Sequence, residues 1–343
     1  MTDFLTAKKL STRVFACLVV LIIIICICTL IGTQKISLMK VIEGPGQIPG
    51  DNIDYEIFIG YRMPRVLLAA LVGAALACSG VVLQAILRNP LADPYILGIS
   101  SGAGLGAIIA IISGITWNLW AGSPLAIFAF AGSLITVWLV WSIGRFAGGS
   151  QVTSLLLAGV VVNAFFSAVI MFLTSIAKSE QLRSIIYWLM GNITDKSPPV
   201  LLAGAVCILA GIICLFIISN RLNIIALGEY EAKGLGVDTE KTKILAFTFA
   251  AFITAIAVSL SGLIGFVGLI VPHAVRLIFG PDHRQLLPLS AIVGAIFLVI
   301  ADTLARTIFG LEQLPVGVIT AIAGGPFFLV LLAKYTKKVS WLK

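Results

Sequence analysis

Apolar residues in this chain come in long unbroken blocks, with neither the alternation of a strand nor the single stripe of a surface helix. Blocks without a charged residue occupy 14–34, 66–87, 94–144, 146–177, 197–220, 244–275, 285–301 and 313–333. A helix crosses the hydrocarbon of a bilayer with about 20 apolar residues, so most of these blocks have the length of one crossing. The 94–144 block is too long for one and is interrupted from Ser113-Gly114 to Ser123-Pro124, which predicts a turn between two helices. The 244–275 block contains Gly262, Gly265, Gly268 and Pro272, predicting a full helix, a glycine-rich bend and a short second helix. The pattern therefore describes an all-α, polytopic membrane protein with about ten transmembrane helices, forming a single domain over 1–343. A transmembrane barrel is excluded, because its strands alternate lipid-facing and lumen-facing residues.

Composition removes any soluble alternative. Of 343 residues 59% are hydrophobic and 11% charged, with a mean hydropathy of +1.11; soluble domains carry roughly a quarter charged residues. The formal charge of +8 is a topology signal, since basic loops are retained in the cytoplasm. With the N-terminus inside and ten crossings, fifteen Lys and Arg fall in inside segments and seven in outside ones, which places both termini in the cytoplasm. The same charge suits anionic lipid headgroups and gives no reason to invoke nucleic acid. The first block exceeds a signal-peptide core and no A-x-A site follows it, so it reads as an uncleaved first helix.

Little else in the sequence carries chemistry. Cys17, Cys26, Cys28, Cys78, Cys207 and Cys214 lie in apolar blocks without a CxxC and read as small buried hydrophobes. His273 and His283 are the only histidines, too few for a histidine metal cluster. No GxxxxGK[ST] loop exists to hold a nucleotide. Gly98-Ile99-Ser100-Ser101-Gly102 matches G-x-S-x-G, but no strand-to-helix elbow or histidine base accompanies it. Gly98, Gly102 and Gly106 instead form a ridge of small residues that lets helices approach closely. An intramembrane hydrolase is thereby set aside.

Three segments between blocks are long enough to do more than turn. Residues 33–63, outside, contain Gly44-Pro45-Gly46 and Pro49-Gly50 and read as an irregular loop leading into Arg62, Pro64 and Arg65. Residues 177–198, also outside, include Leu182–Met190, which suits a short interfacial helix with an aromatic anchor. The inside segment 220–243 is unlike a connector. Its stretch 223–237 mixes apolar and charged residues at near-helical spacing and is cut by Gly228, Gly234 and Gly236, predicting two short amphipathic helices with a sharp turn. Such a surface fits a groove on a cytoplasmic partner. Glu229 and Glu231 make it too acidic to lie on an anionic membrane.

Six motifs in order, Arg62-Met63-Pro64-Arg65, Arg88-Asn89-Pro90-Leu91-Ala92-Asp93-Pro94 with Leu97–Gly104, Leu155–Gly159, Ala226–Glu229, Gly265–His273 and Leu314–Gly317, cover the chain from about residue 60 to 333. In these the sequence resembles the FecCD family, the membrane permeases of ABC importers for ferric siderophores, haem and cobalamin. The resemblance implies a type II ABC importer permease fold and a non-catalytic chain. Its implied partners are a second permease subunit, two ATP-binding subunits that hold ATP and Mg, and a periplasmic or lipid-anchored substrate-binding protein. This chain itself would bind no cofactor. Leu227, Gly228, Glu229, Glu231, Ala232, Lys233, Gly234 and Gly236 then become the ATPase-coupling residues. Asn89 and Leu91, with Thr153 and Ser154, map onto the cytoplasmic gate, although Asn89 before Pro90 is also a natural helix stop.

Arg62, Arg65 and Arg306 are candidates for docking acidic residues of the binding protein. Snorkelling to lipid phosphate competes for Arg62 and Arg65, and an intrahelical i, i+4 pair with Asp302 competes for Arg306. Gln84, Asn163 and Ser167 are polar within spans and either line a path or bond between helices. The rival class is an ion-gradient-driven carrier, because the interrupted segments 88–106 and 262–281 fall in corresponding halves. Proton relays need intramembrane carboxylates, however, and Asp302 is the only deep one.

Overall fold

The computed structural model describes residues 5–46, 51–115, 123–146, 151–194, 196–310 and 313–340, without the side chains of 151–153 and 331–340. The described residues form helices joined by turns. In order they are α1 (Ala7–Leu30), α2 (Leu38–Glu43), α3 (Ile53–Tyr55), α4 (Met63–Ile86), α5 (Ile99–Ser113), α6 (Pro124–Phe146), α7 (Gln151–Ile176), α8 (Ser179–Leu189), α9 (Pro198–Ile217), α10 (Ser219–Leu227), α11 (Glu229–Gly234), α12 (Thr239–Ser261), α13 (Val267–Phe279), α14 (His283–Thr307) and α15 (Val316–Ser340). Seven are long and apolar enough to cross a membrane, and α5, α13 and α15 supply shorter apolar segments. The helices that the apolar blocks predict are therefore present, with breaks where glycine and proline place them. The middle of the predicted 113–124 turn, residues 116–122, lies outside the described residues.

One boundary differs from expectation. The loop expected over 33–63 ends at Asn52, whose side chain accepts from the Tyr55 amide at 3.2 Å and starts a helix. That helix runs through a π-helical stretch, Glu56–Arg62, straight into α4. Loop composition concealed ten helical residues, because the nearest glycines and prolines lie upstream of the cap.

The core centres on α4, which packs against α14, α12, α13 and α9. Both α4 and α12 are buried along most of their length. The peripheral helices α1, α6, α7 and α9 keep large apolar side chains exposed, including Phe15, Ile22, Trp138, Phe165, Phe172, Leu202 and Ile213. That is an inverted surface for water and the expected one for lipid.

Lipid tails are as apolar as leucine, so helices must associate through close packing and polar bonds. Glycine at the crossings does the first. A Cβ on Gly80 of α4 would collide with the Gly268 carbonyl, and one on Gly73 with the Gly294 carbonyl. The predicted ridge on α5 behaves the same way: Gly102 and Gly106 face the α6 backbone at Gly132 and Phe128. Ser79 does the second, its hydroxyl 2.5 Å from the Ala250 carbonyl and 2.6 Å from Thr254 Oγ1 on α12. Gln84 likewise donates to the Gly268 carbonyl at 3.2 Å and accepts from Arg276 at 3.0 Å, so it bonds between helices.

The two interrupted segments meet. Asp93 caps the turn of 3-10 helix Pro94–Leu97 by accepting from Tyr95 N at 2.9 Å, and Gly98 closes it with φ +75°. The Tyr95 hydroxyl then donates to the Ile264 carbonyl at 2.7 Å and accepts from the Ile264 amide at 2.7 Å, satisfying the open backbone between α12 and α13. Bare backbone at such depth needs a partner of this kind.

At the other end of the bundle, α1 is stapled by arginines. Arg62 Nη1 donates to the Leu30 carbonyl at 2.8 Å and its Nη2 to the Gln34 carbonyl; Arg306 Nη2 donates to the Cys28 carbonyl at 2.7 Å. The last carbonyls of a helix have no intrahelical donors and carry its negative dipole end, so cations suit them. Asp302, fully buried, lies 2.9 Å from Arg65 Nη2 and 3.5 Å from Arg306 Nε.

Two outcomes follow for stability in detergent. Gly102→Ala is expected to destabilise by about 1–3 kcal/mol through overpacking, whereas Gly234→Ala, with no atom within 4 Å of the added carbon, is neutral or stabilising by up to about 1 kcal/mol. Asp302→Asn leaves the buried Arg306 and the partly buried Arg65 guanidinium groups short of a counter-charge and is expected to destabilise by about 3–5 kcal/mol. Thermal or denaturant melting of the purified chain measures each; equal midpoints for Gly102→Ala and Gly234→Ala contradict the crossing geometry.

Candidate functional site

Between α9 and α12 the chain forms the short helix pair α10–α11. Gly228 separates them at φ +151°, ψ +152°, a conformation open to glycine, and a Cβ there would meet the Glu231 carboxylate. Gly236 at φ +80° ends the unit, and Asp238 caps α12 by accepting from Lys241 N at 3.0 Å. That bond, with the Lys241 side chain, holds the Asp238 carboxyl below its ordinary range. Two short helices with a sharp turn are thus what the glycines produce.

The predicted coupling residues divide into supports and surface. Ala232 is fully buried, in the short helix that rests on α12. Glu229 forms an ion pair with Lys243, whose side chain is buried. Glu231, Lys233, Gly234 and Gly236 are exposed, as is Leu227. Beside them stand Tyr230, 89% exposed, and Leu235, 64% exposed, which lie inside the predicted stretch from Glu229 to Gly236 but are not among its named coupling residues. An apolar tip of Leu227, Tyr230 and Leu235 on an otherwise charged loop has no lipid-spanning helix to belong to. The legible signal was an aromatic residue between two glutamates, outside every apolar block.

The unit is anchored from behind. Asn223 of α10 donates to Asp282 Oδ1 at 2.7 Å and accepts from the His283 amide at 2.7 Å. Burial pushes the Asp282 carboxyl up, but its bonds from Arg284 and Asn223 outweigh that and bring it down to about 2. Arg88, at φ +48°, reaches the Ile225 carbonyl at 3.2 Å. It thereby links the turn after α4 to α10.

That turn carries Asn89 and Leu91. The Asn89 side chain accepts from the Leu91 amide at 2.9 Å, and its backbone amide donates to the Gln84 carbonyl at 3.2 Å. The helix-stop role is therefore present. Ser154 is partly buried near the start of α7; the side chain of Thr153 lies outside the described residues. The 3-10 turn following Asn89 packs on α7, where a Cβ on Gly159 would crowd the Ile96 carbonyl.

Asn163 and Ser167 line a cavity of about 700 Å³ together with Ser100, Ser101, Thr174 and Ser175. This hydroxyl-rich face of α5 and α7 is absent from a reading that notes only the amides and one serine. The hydroxyls escape notice because serine and threonine are common inside spans.

The three arginines expected at the opposite face are placed differently from an exposed rim. Arg62 and Arg306 are each 6% exposed and occupied by α1 carbonyls, and Arg65 pairs with Asp302 and donates to Gln313 Oε1 at 2.6 Å. The i, i+4 pairing of Arg306 with Asp302 exists, as one half of a triad with Arg65. All three arginines also line a cavity of about 210 Å³ with Gly32, Tyr61 and Gln313. Asp302 is held between two cations, a poor position for a proton relay.

Comparison with known proteins agrees with this architecture. Residues 20–334 match the model of the FecCD transport family. The chain is 45% identical over 285 residues to the cobalamin import system permease protein BtuC of Halobacterium salinarum, covering 81% of this chain and 73% of that one. It is 41% identical over 288 residues to the hemin transport system permease protein HmuU of Yersinia pestis, covering 83% and 86%. A solved structure described as an inward-facing metal-chelate type ABC transporter superposes with a TM-score of 0.82 at 34% identity, covering 94% of this chain and 99% of that one. The chain is a multi-pass membrane protein and belongs to the FecCD transport family.

Proposed function

We propose that this chain is the permease subunit of a binding-protein-dependent ABC importer that moves a ferric chelate, haem or cobalamin into the cytoplasm. The relatives named for cobalamin and hemin transport support that cargo class. In this reading two copies, or this chain and a paralogue, flank the path. Two ATP-binding subunits sit beneath α10–α11, both termini are cytoplasmic, and a substrate-binding protein docks at the arginine-lined cavity opposite. ATP hydrolysis occurs in the partner, since the chain has no phosphate loop of its own.

The observation that carries the reading is the exposed tip of Leu227, Tyr230 and Leu235 on a rigidly backed helix pair. Exposed aromatic and aliphatic residues anchor interfaces when they enter a partner's pocket. Closure of the ATPase dimer would move α10–α11 as a body, and the Arg88 and Asn223 contacts would pass that movement to α4 and α14. The hydroxyl-lined face of α5 and α7 is the path in this scheme, weakly polar and wide enough for bulky cargo already selected by the binding protein.

Tyr230→Ala removes a side chain that touches little of its own chain, so the fold is expected to be unchanged. Its loss is expected to lower coupled uptake in proteoliposomes, and retention of the ATPase subunit, by about tenfold or more, the scale of an interface hot spot. Wild-type ATP-dependent uptake by Tyr230→Ala combined with Leu235→Ala would count decisively against coupling through this tip.

A further inference from the structure

Behind α10 lies a cavity of about 940 Å³, bounded by the first turns of α1, the last turn of α4 and the turn between α13 and α14. Its lining carries the cations Lys9, Arg13, Arg88, Arg276 and Arg284 and, among the described residues, the single carboxylate of Asp282. That carboxylate is already committed. It accepts from Asn223 Nδ2 at 2.7 Å, the Arg284 amide at 3.0 Å and Arg284 Nη2 at 2.6 Å. Arg13 and Arg88 rest on neutral oxygens instead, Arg13 on Gln285 Oε1 at 2.6 Å and Arg88 on the Ile225 carbonyl. The Arg13 and Arg88 guanidinium groups, with no carboxylate against them among the described residues, raise the potential inside the recess, which an anion relieves.

The rest of the lining identifies the anion's carrier. Leu5, Ala85, Ile224 and Phe279 lie between the cations, and the Arg13 guanidinium stands over the Phe279 ring at 5.7 Å. Immediately beyond Arg13 the exposed face of α1 becomes apolar, with Phe15, Leu18 and Val19 open. Charge and hydrocarbon therefore meet at one level of one helix. A free phosphate uses only the cations, whereas a phospholipid uses both parts.

We propose that this cavity binds the phosphate headgroup of an anionic phospholipid, held by Arg13 of α1 and Arg88 of the turn after α4. Basic recesses between membrane helices at headgroup level are suited to such ligands. The lipid bridges α1 to α10 and so steadies the support of the α10–α11 pair. The site stands whether or not the importer assignment does, because it needs only the cavity and a bilayer.

Native mass spectrometry of the delipidated full-length chain, titrated with phosphatidylglycerol against phosphatidylcholine, tests it. Phosphatidylglycerol is expected to be retained at least tenfold better. Arg13→Gln is expected to lower that retention at least fivefold, while Lys8→Gln, exposed on the same helix and outside the cavity lining, leaves it unchanged. Arg13→Lys, which keeps the charge, retains the lipid and guards against a folding defect, checked by melting. Equal retention of the two lipids, or equal loss in Lys8→Gln, overturns the site. Stabilisation by inorganic phosphate without lipid retention overturns the lipid as its source. Loss of ATPase binding in Arg13→Gln with lipid retention unchanged assigns this cation to a protein partner and likewise overturns the proposal.

Discussion

Hydrocarbon offers a backbone amide or carbonyl nothing to bond with, and each group left unmet there costs several kcal/mol. Among the described residues, several departures from continuous helix are met by a specific side chain. The last carbonyls of α1 receive Arg62 and Arg306. The gap between α12 and α13 is closed by the Tyr95 hydroxyl acting as donor and acceptor on Ile264. The Gly268 carbonyl, at the crossing with α4, receives Gln84. Arg62, Arg306, Tyr95 and Gln84 are thus accounted for by the interruptions they repair.

The same constraint divides the molecule into a rigid centre and two working ends. Glycine contacts bring α4, α13 and α14 together at backbone distance, and no side chain there has room to give. Movement applied at one end therefore passes through a stiff body. The α10–α11 pair is fastened to that body by the fully buried Leu222 and Ile225 and by polar contacts, Asn223 to Asp282 and Arg88 to Ile225. A lever attached in this way can transmit displacement without melting, which is the property an externally driven permease requires.

At the opposite end, positive charge is kept inside the fold. Arg65 and Arg306 share the Asp302 carboxylate and Arg62 is held by backbone carbonyls around a small cavity, so little guanidinium surface is open. An acidic partner would meet a recess there, and its contact would be tied directly to the seating of α1. Asp302, which a gradient-driven carrier would need as a titrating group, is committed to holding that cluster together.

Block length and glycine or proline position were sufficient to place nearly every membrane helix and to cut 223–237 into two short helices at Gly228, because these depend on solvent and on local backbone conformation. The motif order was sufficient to identify the family. Cross-chain facts were beyond their reach: that Arg62 and Arg306 turn inward to α1, that Glu229 is tied to Lys243 while Tyr230 stands free, that helix begins at Asn52 within an apparent loop, and that Lys9, Arg13 and Arg88 surround one cavity. Each depends on which distant residue arrives beside it. A charge or an aromatic ring reads the same along the chain whether packing buries it or leaves it open, and that choice is made only when helices far apart in sequence come together.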